Sequence, residues 1–76
     1  MNKARRLRIN QSKDALESVK SDLESIRDEE QDMLDNTPES LQETDRYYQS
    51  QEAVDALESA ISFIEDCIDQ LETAAE

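Results

Sequence analysis

Glycine, histidine and tryptophan are absent from this chain, and proline and cysteine occur once each. Without glycine, positive φ falls to Asn and Asp, which leaves almost no material for phosphate-cradling loops or the tight turns of β-hairpins and excludes an EF-hand calcium loop. Without histidine, Cys67 cannot complete a zinc site or a cysteine-histidine nucleophile, and the serines lack a base to activate them. The lone thiol has no internal disulfide partner, so its expected role is that of a small packing residue. No apolar run suits a signal peptide or a membrane span, because charges interrupt every window within a turn or two. These absences argue against an enzyme and against metal or cofactor binding. They leave a cytoplasmic protein without membrane contact as the expectation.

What the chain does have is charge. Of its 76 residues 37% are charged, and 20 acidic against 8 basic side chains give a formal net charge of −12. A chain of this length buries only about 60% of its unfolded surface and is marginal alone, so a partner surface is expected. The acidity disfavours direct binding to nucleic acid or anionic membrane and favours a basic protein. It is also uneven: Lys3, Arg5, Arg6, Arg8 and Lys13 precede the first acid, Asp14.

The composition suits long helices, and "DNTPES" (Asp35 to Ser40) divides them. Asp35 and Asn36 form turns, Thr37 is a candidate N-cap, Pro38 suits a first helical position, and Glu39 suits a helix start electrostatically. The expectation is one domain over residues 1–76, with a first helix over about 3–34, a turn at 35–37 and a second helix over about 38–74. Both segments carry heptads. Ile9, Leu16 and Leu23 take a in the first, with Ser12, Val19, Ile26 and Met33 at d. In the second, Tyr47, Val54, Ile61, Ile68 and Ala75 take a, and Ser50, Leu57, Ile64 and Leu71 take d. This is the spacing of a coiled-coil seam.

Position e is basic in the first helix (Arg6, Lys13, Lys20, Arg27) and acidic in the second (Glu58, Glu65, Glu72). Antiparallel helices bring e beside e, so the all-α fold expected is an antiparallel two-helix coiled-coil hairpin. A turn centred on Asn36 and Thr37 pairs Leu16 with Leu57, Val19 with Val54, Ile9 with Ile64 and Ile26 with Tyr47. It brings Lys13 near Glu58 and Arg6 near Glu65, and sets Glu30 opposite Glu43. The basic N-terminus then lies beside the acidic end of the second helix, around Glu65, Asp66, Asp69, Glu72 and Glu76. A nucleic-acid-binding arm formed by Lys3, Arg5, Arg6 and Arg8 is the competing reading.

The second helix has more apolar surface than one neighbour covers. Ala53, Ala60, Cys67 and Ala74 line g, with Ala56 and Phe63 at c. Such a second seam permits close helix approach, and a homodimer forming a four-helix bundle is the economical way to bury it. Tyr47 and Tyr48 point about 100° apart on a helix, one toward the seam and the other outward as an interface anchor or an incidental surface residue. The outer face of the second helix carries Asp45, Glu52 and Asp66 at f and Asp55, Asp69 and Glu76 at b. That strip resembles a phosphate backbone in sign; all 12 acids from Asp35 onward together reach a density of about one charge per 5 Å against about 1.7 Å in duplex DNA.

Around "DEEQDMLDNTPESLQETDRY", followed by the regular heptads, the sequence resembles small acidic helical-hairpin proteins of phages and prophages of Gram-positive bacteria. Those proteins share an acid-rich first helix, a turn like "DNTPESLQ" and a second helix with a repeat like "LESAISFIED". The resemblance implies a prophage setting, where small acidic proteins often inhibit host defence or nucleic-acid enzymes. The reading expected is thus a non-enzymatic binding module acting through the acidic face on a basic host protein. The alternative is a self-associating structural bundle whose charges serve solubility and pairing.

Overall fold

The computed structural model describes residues 1–76 and is all-helical, with α1 spanning Lys3–Asp35 and α2 spanning Asp45–Ala74. A short 3-10 turn, Glu39–Leu41, lies between them. The two long helices pack on each other as a rod of 59 × 14 × 13 Å. Its radius of gyration is 17.3 Å, where a compact domain of this length would have about 11 Å. The molecule is therefore one layer of two helices.

Each boundary has a local cause. Asn2 caps α1, its side-chain oxygen accepting from the Arg5 amide at 2.8 Å. At the other end, glycine is not there to provide a left-handed cap, and no residue adopts positive φ. Polar side chains take over: the Asn36 amide group donates to the Asp32 carbonyl at 2.8 Å, and the Thr37 hydroxyl to the Met33 carbonyl at 2.7 Å.

The start of the second helix differs from the sequence expectation. Thr37 closes α1 and does not open α2. Pro38 takes an extended conformation (φ −58°, ψ 146°) and caps only the 3-10 turn. The N-cap of α2 is Thr44, whose hydroxyl accepts from the Tyr47 amide at 3.3 Å and donates to the Leu41 carbonyl at 2.9 Å. Asp45 then occupies the first turn, where the helix dipole favours an acid. Thr37 and Thr44 are both plausible caps by residue type, and the bonds each side chain finds decide between them.

A longer connection moves the register. With residues 36–44 outside both helices, Ile9 reaches the neighbourhood of Leu71 and Leu34 that of Tyr47. The expected partners, Ile64 for Ile9 and Ile26 for Tyr47, are displaced by about one heptad. The same shift replaces the pairings of Leu16 with Leu57 and of Val19 with Val54. Glu43 falls within the connection, so its opposition to Glu30 does not arise.

The first helix is also rotated relative to its a/d reading. Its inward line is Ile9, Lys13, Leu16, Lys20, Leu23, Arg27, Glu30 and Leu34, positions a and e. Val19 and Ile26, expected in the core, are 46% and 49% exposed, and Met33 is 50% exposed. Leu34, at e, is buried instead. Lysine and arginine have long apolar stems that cover a seam while their charged heads stay in solvent, and this makes the e row a workable inner edge. The second helix keeps its a/d seam: Ser50, Val54, Ile61 and Ile68 are buried, and Tyr47, Leu57, Ile64 and Leu71 half-buried.

Candidate interaction surfaces

Successive residues of an α-helix step by about 100°, so the inward line of each helix determines where its other rows point. On α1 the Ser12, Val19, Ile26 and Met33 row lies about 80° to one side of that line. On α2 the Ala53, Ala60, Cys67 and Ala74 row lies about 90° to one side. Because the e rows meet on one flank, these two rows share the other. Two grooves between the helices agree with this: Ser12 lines one with Leu71, and Met33 lines the other with Arg46 and Ser50.

One flank is thus apolar over most of its length. It carries Val19, Ile26 and Met33 from α1, and Ala53, Ala56, Phe63 and Cys67 from α2, all exposed, with Ala60 half-buried between them. Phe63 is the extreme case at 71% exposed. Sequence reading finds the α2 half of this surface and misses the α1 half, having assigned Val19 and Ile26 to the hairpin core. On α1 the residue types suit a seam of a with d as well as one of a with e, and in the structure α2 covers the a row together with the charged e edge.

The opposite flank is ionic. Lys13 Nζ lies 3.7 Å from Glu72 Oε1, and Lys20 Nζ lies 3.5 Å from Glu65 Oε1. The rows that meet are those expected, basic e against acidic e, with different partners: Lys13 passes Glu58 to reach Glu72, and Glu65 is held by Lys20 and not by Arg6. The next rung in the series would join Arg27 to Glu58, and Arg27 instead pairs with its neighbour Asp28 at 3.0 Å. Of the five N-terminal cations Lys13 alone forms an ion pair with the end of α2, through Glu72, while Arg5 and Arg8 lie beside Leu71 without one and Lys3 and Arg6 are likewise unpaired.

Asp55, Asp69 and Glu76 stand beside the ionic rungs, while Asp45, Glu52 and Asp66 lie on the back of α2. All six are exposed and none is ion-paired. By the same helical geometry, Asp14, Glu17, Glu24 and Asp35 of α1 face the ionic flank too. The anionic surface therefore spans both helices, wider than the single strip read from the second heptad frame. Tyr47 is half-buried and Tyr48 exposed, their rings edge-to-face at 6.2 Å.

No three side chains of the metal-ligating types converge on one point. No helix is long and apolar enough to cross a membrane. Compared with protein-family models, with curated proteins and with solved structures, the chain matches none of them.

Proposed function

We propose that this protein is a non-enzymatic protein-binding module whose anionic flank docks on a basic protein while its apolar flank serves self-association. The observation that carries the reading is a bias between the flanks: Val19, Ile26, Met33 and Phe63 stand exposed on one and most of the unpaired carboxylates on the other, although Leu7 and Tyr48 lie among the acids and Asp22 and Glu29 edge the apolar side. Charge scattered for solubility alone would not require that division. A dense anionic surface speeds encounter with cationic partners and discriminates against acidic ones. From the resemblance to phage proteins, the partner class is a host defence or nucleic-acid-binding protein, whose groove the acidic face would occupy in place of a phosphate backbone. A host cytoplasm is the matching location.

The experiment compares the tagged protein with its Asp55→Lys, Asp66→Lys, Asp69→Lys variant in pull-downs from a Gram-positive host lysate at low and high salt. The expected result is a nucleic-acid-binding or defence protein captured at low salt, released at high salt and lost in the variant. Equal capture by the variant would remove the acidic face from the reading. The exposed apolar flank also favours a second reading, a self-associating structural bundle, and a clean oligomer that captures nothing would select it.

A further inference from the structure

The apolar flank has one occupant that its shape and charge pick out. We propose that a second copy of this chain covers it, related by a two-fold axis perpendicular to the rod that passes near Val19 and Ala60, so that α1 packs on the partner's α1 and α2 on the partner's α2. The inference rests on the self-association in the reading above but not on any basic partner.

Size comes first. The flank is about as long and as wide as the rod itself, 59 × 14 Å, which approaches the roughly 800 Å² that each partner contributes to a standard stable interface. Such cover would add to a thin core, since of its large apolar residues only Leu34, Val54, Ile61 and Ile68 are buried in the isolated chain. The surface between the two end grooves is a pair of parallel ridges, suited to another pair of helices.

Shape selects the axis. Val19 is the midpoint of α1 and Ala60 lies at the middle of α2, so one perpendicular two-fold serves both helices. An antiparallel pairing about those points sets Ile26 against a small residue, brings Phe63 beside Ala56, and sets Val19 against its own equivalent. Ile26 falls opposite Ser12 of the second copy, Phe63 opposite Ala56 and Leu57, and Ala53 opposite Cys67. Ala60 meets its own equivalent, where only a small side chain lets two helices approach closely.

Charge selects the same axis. On this flank Arg5 and Arg8 line the groove at the N-terminal end of α1 and Arg46 the groove at the other; by helical geometry Glu29 edges that other end with Asp32 behind it, and Asp22 edges the middle. The perpendicular two-fold brings Arg5 and Arg8 of each copy to Glu29 and Asp32 of the other. A two-fold along the rod would gather four arginines at one end and four acids at the other. This also gives work to N-terminal cations that make no ion pair within the chain. The anionic flanks then face outward on both sides of the bundle.

The test uses the purified chain and needs no partner. Sedimentation equilibrium should give a dimer, and Phe63→Glu should raise its dissociation constant about tenfold or more, as loss of a central interface anchor does. Phe63 is mostly exposed in the chain, so circular dichroism of the variant should keep its helical signal. Disulfide trapping then reads the axis. Ala60→Cys in a Cys67→Ala background should cross-link the dimer on mild oxidation. Native Cys67, with its equivalent about 21 Å away along the helices, should not, because a disulfide needs α-carbons within about 7 Å. A monomer, or a dimer indifferent to Phe63→Glu, would overturn the interface. A dimer trapped through Cys67 and not through position 60 would overturn the two-fold.

Discussion

At the scale of the residue, burial and capping decide what each side chain contributes. Ile61 is buried at the middle of the α2 seam, and Ile61→Ala should cost about 2–4 kcal/mol, read as a lower midpoint in urea unfolding. Thr44→Ala should cost about 1 kcal/mol, because the amide of Tyr47 then loses its acceptor. Thr37→Val should fray the end of α1 and leave the start of α2 where it is, a difference that amide hydrogen exchange at Tyr47 and Tyr48 can resolve. Lys20 and Glu65 are an exposed pair, and a double-mutant cycle should return a coupling of about 0.2–1 kcal/mol that fades with salt. By sequence the cap is expected at Thr37 and Thr44 is passed over, although threonine is as good an N-cap by type at one position as at the other. Hydrogen bonds that depend on the path of the chain through Pro38 choose the later one.

At the scale of the element, the rotation of α1 is the feature to test. The seam runs through Leu16 and not through Val19, although both stand in apolar heptad rows. Leu16→Asn should therefore melt the hairpin in dilute solution, whereas Val19→Asn should leave the helical circular dichroism of the dilute chain unchanged. Equal damage from both substitutions would return α1 to an a/d seam. The heptads of α2 allow one seam, because only its a and d rows are both large and apolar while g is small. On α1 the choice lies between a with d and a with e. Tertiary contact settles it, since the lysine stems of the e row cover the edge of the seam and deliver their charges to Glu65 and Glu72.

For the whole molecule, a rod with one apolar flank should not behave as an isolated two-state monomer. Its thermal midpoint should rise with protein concentration, as mass action requires when only the folded chain associates. Calorimetry over a hundredfold range of concentration would show this, and a constant midpoint would argue that the hairpin stands alone. The rod buries few of its side chains, and most of the chain lies on its faces. The division into one apolar and one anionic flank was half legible: the α2 seam and the acids at b and f follow from a helical wheel, while the α1 contribution to each flank depends on how that helix is turned.

The sequence by itself determined that the chain is helical, that it folds back once near Pro38, and that basic and acidic e rows run side by side. These follow from local propensity, heptad period and charge, which act within a few residues of the chain. Only the tertiary structure decided the length of the connection, the one-heptad displacement of the pairing and the rotation that exposes Val19, Ile26 and Met33. A heptad repeat is nearly unchanged by sliding seven residues. The energy that chooses one register over the next therefore comes from the ends, where the caps at Asn36, Thr37 and Thr44 hold the turn, and from which lysine reaches which glutamate.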